Sequence, residues 1–246
     1  MMTQERKALL LALLAVQGRL VARDLAAELA VSEDTIRRDL RDLAAAGRLT
    51  RVHGGALPAS PTLVPLRQRQ AMAMDEMVRL GRVGARLIQP GMIVLIDGGS
   101  THQALVAALP SDLVCTVVTH SPIIAAALEP LAGVVIVLLG GTVFRHSMVA
   151  LGQTTAEALA LVHADLCLLG VTGLHPQAGL TTGHHEEARF KAAMIARSAE
   201  TVVLATADQI GAASPWTVAA LAQLHILVTT GPTPDWLPAG LRHLAA

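Results

Sequence analysis

The chain has 246 residues, 52% of them hydrophobic and 15% charged, and its 19 Lys and Arg balance 19 Asp and Glu. A chain this apolar can bury enough surface to offset the entropy of ordering, which excludes intrinsic disorder. Zero net charge confines any nucleic-acid binding to a local patch, and two Trp, two Phe and no Tyr are too few for a single-strand stacking platform.

In chain order, Arg6-Lys7 ahead of the apolar run 8–16 has the outline of a short secretory leader. The run keeps helical spacing through Leu9, Leu10, Leu13 and Leu14, and no A-x-A-like cleavage site follows it. A helix of a cytoplasmic protein is therefore expected. A second helix over 21–30 buries Val21, Leu25 and Leu29. After the turn Val31-Ser32, a third helix is capped by Ser32, carries Glu33 and Asp34 in its first turn, turns Ile36, Leu40 and Leu43 inward and ends at Gly47. Residues 48–57 read as strand, Gly-Gly turn and short strand. This part, 1–60, has net charge +2 and the remainder −2. The composition of 57–61, Pro, Ala, Ser and Leu, marks a boundary.

Beyond it, short Val/Ile/Leu runs at 92–96, 114–118, 134–139, 166–169, 201–205 and 225–229 alternate with helical stretches at 75–88, 101–109, 121–128, 153–162, 185–198 and 216–223. That rhythm predicts a mostly parallel sheet covered on both faces. Cys115 and Cys167 lie in apolar runs and read as buried thiols, with neither a disulfide framework nor a zinc cluster. No uncharged stretch reads as a membrane span; the longest, 209–234, contains three prolines.

Two constellations carry chemistry. On the third helix, Arg38 has Asp34 before it and Asp42 after it at four-residue spacing, while Arg37 has Glu33 behind and Arg41 ahead, and Arg41 has no carboxylate partner. An exposed face of repelling arginines suits an anion. As the second helix of a helix-turn-helix it would lie in the major groove, with Thr35 and Arg37 at base edges, Arg38 and Arg41 at phosphates or bases, and Arg48 and Arg51 on a hairpin along the backbone or minor groove. In the second part, Asp97-Gly98-Gly99-Ser100-Thr101 follows a strand and opens a helix, an arrangement suited to phosphate. Polar or glycine loops end other strands at Thr119-His120-Ser121, Gly140-Gly141 and Gly170, so one crevice is expected at the strand ends. Glu187 and Lys191 share a helix face, with Lys191 expected to meet an anionic ligand.

The run Thr35-Ile-Arg-Arg-Asp-Leu40, followed by Gly47-Arg-Leu-Thr-Arg-Val-His-Gly-Gly-Ala56, with Arg6 and Val31-Ser32, resembles the N-terminal domain of the DeoR family of bacterial transcriptional regulators. Residues 75–243 resemble that family's effector domain through Asp97–Thr101, Val118–Ser121, Leu139–Gly141, Leu151-Gly152, Asp165, Gly170, Gly179–Thr182, Glu187-Ala188 and Lys191. The resemblance implies a winged helix-turn-helix (residues 1–57), a linker (58–74) and a C-terminal α/β domain (75–246) with a Rossmann-like sheet related to sugar-phosphate isomerases. It implies a repressor of a carbohydrate operon, released from operator DNA by a phosphorylated sugar or similar metabolite, working as a homodimer or homotetramer away from membranes. The DNA contacts are then expected at Ser32, Thr35, Arg37, Arg38, Arg41, Arg48, Arg51 and His53. The effector contacts are expected at Asp97, Gly98, Gly99, Ser100, Thr101, Thr119, His120, Ser121, Gly140, Gly141, Gly152, Gly170, Thr181, Glu187 and Lys191. No catalytic residue, cofactor or metal is expected: His102, His120, His184 and His185 lie in or beside the loops but not at metal-ligand spacings. Two departures matter, since the lysine of the family's Asp-x-Ser-Lys is Gln209 here and the one following Glu76 is Met77. The competing readings are an isomerase-like enzyme using Asp97, Glu187 or Lys191 as acid or base, and a DNA-organising protein with no effector.

Overall fold

The computed structural model describes residues 2–60, 64–69 and 74–246. Helices α1 (Thr3–Gln17), α2 (Ala22–Glu28) and α3 (Glu33–Ala45) enclose a small core in which Leu10 and Leu14 meet Leu25, Ile36, Leu40 and Leu43. Ser32 caps α3 as expected, accepting the Thr35 amide at 3.2 Å. Strands β2 (Leu49–Val52) and β3 (Gly55–Pro58) form the hairpin, and a two-residue strand β1 (Leu20–Val21), which the sequence does not announce, pairs with β3. Both glycines of the turn are required. Gly54 sits at φ +77°, and a Cβ on Gly55 would come within 1.8 Å of the Leu20 carbonyl oxygen.

The expected linker starts as ordered chain. Ala59 bridges to Ala213, and the Ser60 amide donates to Ala213 O at 3.3 Å. Residues 61–63 and 70–73 of that segment lie outside the described residues; between them α4 (Leu66–Arg69) is one turn long.

The second domain holds a parallel sheet of seven strands. Chain order gives α5 (Met74–Ala85), β4 (Ile93–Ile96), α6 (Ser100–Ala107), β5 (Cys115–Thr119), α7 (Pro122–Ala127), β6 (Val134–Leu138), the hairpin β7 (Thr142–Phe144) and β8 (Val149–Leu151), and α8 (Gln153–Ala160). There follow β9 (Ala164–Leu169), β10 (Gly173–His175), β11 (Gly179–Thr182), α9 (His185–Ala196), β12 (Ser198–Ala205), β13 (Trp216–Ala219), β14 (Ile226–Thr229) and β15 (Arg242–Ala245). The sheet order is β15-β14-β12-β9-β4-β5-β6, so the chain reverses direction between β4 and β9. Successive side chains feed opposite layers. Val94, Ile96, Leu166 and Leu168 pack with α5, α6 and α7, whereas Leu95, Cys167 and Leu169 pack with α8 and α9. Both cysteines are buried and free, as expected.

All six anticipated strands are present, and β15 and the short strands β7, β8, β10 and β11 are additional to them. The helix expected over 216–223 is wrong. Trp216–Ala219 is a strand paired with β11, followed by a single 3-10 turn at Leu221–Gln223. Trp, Thr and Val favour extended backbone, and the ladder offered by β11 outweighs a short helical period. The expected cover also fails at the sheet edge, where β6 leaves Val135, Ile136, Val137 and Leu138 exposed. Among the described residues no helix is long and apolar enough to cross a membrane.

Candidate functional site

The arginine face of α3 forms as read, with one change. Arg37 pairs with Glu33 at 2.7 Å and Arg38 with Asp34 at 3.3 Å, all four side chains well exposed. Asp42 is not part of Arg38's row: Lys7 of α1 takes it at 2.6 Å, and that ammonium holds the carboxyl below its usual range. Arg41 is exposed and makes no ion pair among the described residues. Ser32 and Thr35 share a hydroxyl hydrogen bond of 2.8 Å at the exposed start of the helix. A contact not read from spacing fixes α3 from behind. Asp39 is buried and bound by the Arg6 guanidinium of α1, so two residues of the motif serve helix placement. Arg48 is exposed at the start of the hairpin, whereas Arg51 and His53 line a cleft against Gln177, Ala178, Ser214, Pro215 and Thr217 of the second domain.

The second site lies where the strand order reverses, at the carboxyl ends of β4 and β9. Asp97, one residue past β4, is its centre. One carboxylate oxygen accepts the Gly170 amide at 2.8 Å and the Lys191 ammonium; the other accepts the Gly98 amide at 2.7 Å and faces His120 Nε2 at 2.9 Å. Burial by itself would raise the Asp97 pKa, but the Lys191 charge and the His120 hydrogen bond override it and hold the carboxyl well below its ordinary range. His120 is fixed from its other side by Ala150 O at 2.8 Å and by Phe190, stacked at 4.5 Å. Gly170 is tightly enclosed: a Cβ there would lie 3.0 Å from Asp97 Oδ2 and press on the carboxylate.

Of the expected effector residues, Asp97, Gly98, Gly99, Ser100, Thr101, Gly170, Glu187 and Lys191 line this pocket. The other seven do not line it. His120 stands behind Asp97. Thr119 and Ser121 fix the β5–α7 turn, where the Ser121 hydroxyl caps α7. Gly140 accepts the Thr155 hydroxyl, Gly141 abuts that same side chain, and Gly152 caps α8. Thr181 is buried and bonded to Gly173 O and the Ser214 amide. Lys191, expected to meet an anionic ligand, lines the pocket but its ammonium is held by Asp97.

Sequence reasoning missed several walls. His146, Ser147 and Val149 come from the β7–β8 hairpin, Val171 and Thr172 follow β9, and Thr206 and Asp208 follow β12. The last pair is marked by its place after a strand. The hairpin carries no such signal. Gln209, standing at the family's lysine position, lines the pocket but holds backbone: its amide oxygen accepts Thr206 N at 3.0 Å and its nitrogen donates to Val171 O at 2.8 Å. Lys191 is the one Lys or Arg among the described lining residues.

Hydrogen bonds join the pocket wall to the hairpin. Thr172, in the pocket wall, accepts the Ser60 hydroxyl through its carbonyl and shares a 2.6 Å hydroxyl hydrogen bond with Ser214. Neighbouring Ala213 accepts Thr50 Oγ1 of β2 at 2.7 Å and donates to Pro58 O at the end of β3 at 3.0 Å.

Residues 6–62 match the DeoR-like helix-turn-helix domain and residues 73–230 the DeoR C-terminal sensor domain. The transcriptional repressor GlcR of Bacillus subtilis is 32% identical over 93% of this chain and 89% of its own length. The glycerol-3-phosphate regulon repressor of Escherichia coli is 28% identical over 89% of this chain and 87% of its own. Among solved structures, the full-length sorbitol operon regulator SorC of Klebsiella pneumoniae aligns with 14% identity and a TM-score of 0.37, over 81% of this chain and 88% of that one.

Proposed function

The chain belongs to the DeoR family and is a DNA-binding transcriptional regulator rather than an enzyme, and on that premise we propose that it represses a carbohydrate-metabolism operon in the cytoplasm and is released by a phosphorylated sugar or related metabolite. The α3 face would enter the major groove and the β2–β3 hairpin would lie beside it. The glycine loop 98–101 at the start of α6 would meet the ligand's anionic group. The relatives that carry repressor names, one of them for a glycerol-3-phosphate regulon, support this choice.

The observation that carries the mechanism is the shared wall. Thr172 lines the pocket and takes the Ser60 hydroxyl at the root of the wing, while Ala213 next to Ser214 holds both wing strands. A ligand that moves the 171–172 loop changes the wing's anchorage, a two-state coupling of sites in place of a direct contact. The active species is a homodimer or homotetramer. One winged helix reads too few bases for useful specificity, and the exposed apolar edge of β6 is a strand that another copy of this chain would cover.

The test is binding of the purified chain to labelled DNA from its own upstream region, with salt and random competitor DNA titrated. Competitor-resistant binding with a steep salt slope is expected, as is release by one member of a sugar-phosphate panel. Ser60→Ala should still bind DNA but respond less to that ligand. Binding no tighter than to random DNA, with the panel present or absent, would overturn the reading.

A further inference from the structure

Glu187 is 5% exposed, sits in the first turn of α9 and makes no hydrogen bond or ion pair among the described residues. Its side chain lines the pocket, so its carboxylate is open to a ligand there. The cation one helical turn away cannot serve, because Lys191 is held by Asp97. Two imidazoles approach instead. His184 is the N-cap residue of α9, three residues before Glu187, and His146 reaches in from the β7–β8 hairpin. One ligand atom from each of His146, His184 and Glu187 lies within 4.8 Å of the other two. The rings are already held edge to face, His146 on His184 at 4.5 Å and Phe144 on His184 at 4.7 Å.

We propose that His146, His184 and Glu187 form a binding site for one divalent transition-metal ion of the zinc class, at the mouth of the pocket that contains Asp97. Two imidazoles and one carboxylate select Zn2+, Co2+ or Ni2+ over the oxygen-seeking Mg2+ and Ca2+. Bonds of about 2.0–2.2 Å to each ligand require the three side chains to draw together slightly, and both histidines are only partly buried and have room to do so. Three protein ligands leave coordination positions open toward the pocket. An anion entering beside the glycine loop would complete the shell. The ion thereby supplies the positive charge that Gln209 and Met77 do not provide and that Lys191 has spent on Asp97. This role toward a ligand rests on the effector-sensing reading; the metal site itself does not.

The experiment uses the full chain, untagged and stripped with a chelator. Zn2+, Co2+ and Mg2+ are titrated by calorimetry, with visible absorption followed for Co2+. One equivalent of Zn2+ or Co2+ should bind, raise Tm and give cobalt ligand-field bands, with no Mg2+ binding at the same concentration. Glu187→Gln and His184→Ala should each weaken Zn2+ at least about tenfold. His163→Ala, at an exposed histidine beside Arg197, should not. Glu187 makes no hydrogen bond or ion pair among the described residues, so metal-free Glu187→Gln should melt no lower than the metal-free parent. Absence of saturable Zn2+ binding overturns the site, as does binding that survives both ligand variants. Inorganic phosphate should bind more tightly to the Zn2+-loaded chain than to the stripped one, and equal binding would remove the role assigned to the ion. None of these titrations contains DNA, so their failure leaves the regulator standing, and failure of the DNA assay leaves the metal site standing.

Discussion

The arginines of α3 and the lysine of α9 both hold carboxylates, but at opposite ends of the burial scale. In the Arg38–Asp34 pair the side chains are 70% and 73% exposed, whereas in the Lys191–Asp97 pair they are 7% and 1% exposed. Exposed pairs are worth little, about 0–1 kcal/mol, because water and salt compete for both partners. An arginine of α3 can therefore exchange its carboxylate for a DNA phosphate or a guanine edge at small cost. Lys191 has no such freedom. Its ammonium compensates a charge that water cannot reach, and removing it strands that charge. On the proposed function the surface pairs would be placeholders for DNA, whereas the buried pair is part of the frame that shapes the pocket.

The largest effect separating the two regions is expected from Lys191→Gln. It leaves the Asp97 carboxylate facing His120 and two backbone amides without its compensating cation. Breaking a buried pair in this way costs about 3–5 kcal/mol. Because the carboxyl is held far below its usual range, the pair's contribution is complete above about pH 4 and erodes only below it. Denaturant unfolding of the full chain at neutral pH should show the loss in the transition of the second domain, and adding Asp97→Asn should recover part of it. A loss under about 1 kcal/mol would place the buried pair in the same class as the surface ones.

The surface side sharpens differently. Arg37→Ala should cost about 1–3 kcal/mol at one operator position and relax specificity there, and Arg48→Ala should weaken all sequences alike and reduce the salt slope by about 1. Competition between operator and single-base variants reads the first, and the slope of log affinity against log salt reads the second. If Arg37→Ala weakened operator and random DNA equally, α3 would not be the helix that reads bases.

The same contrast explains what was legible beforehand. Helix α3 is local: its cap, its inward stripe and its arginine face lie within one element, so period and spacing expose them. The sheet was legible because each strand is a short apolar run between breakers, and the glycine loop because it directly follows one such run. What spacing cannot show is convergence. Asp97 and Lys191 are 94 residues apart, and Arg6 and Asp39 are 33 apart. Helical spacing puts Glu187 and Lys191 on one face, yet the fold gives Lys191 to Asp97 and sets Glu187 beside two histidines from different elements. The error over 216–223 is of the same kind, since the deciding partner, β11, lies outside the window.

The smallest predicted effect tests the seam between the two regions. His175 ends β10 in the second domain and is 4% exposed; its Nδ1 accepts the amides of Gln177 at 3.2 Å and Ala178 at 3.4 Å. Burial, and then the charge of Arg19 from the DNA-binding domain, push its imidazole pKa below the ordinary value. A histidine lowered in the folded state takes up its proton on unfolding before it does when folded. Its neutral form thus contributes stability at neutral pH that is lost as pH falls through the unfolded value of about 6.5. His175→Asn keeps an acceptor near the two amides and cannot titrate. Its unfolding free energy should fall less than the parent's between about pH 7 and 5. Because the repulsion comes from Arg19, Arg19→Gln should remove part of the same slope while leaving the burial share in place. A parent slope unchanged by Arg19→Gln would mean that Arg19 does not stand near His175 in solution, and the proposed route from the pocket wall to the wing would then rest on Ser60, Thr50 and Ala213 alone.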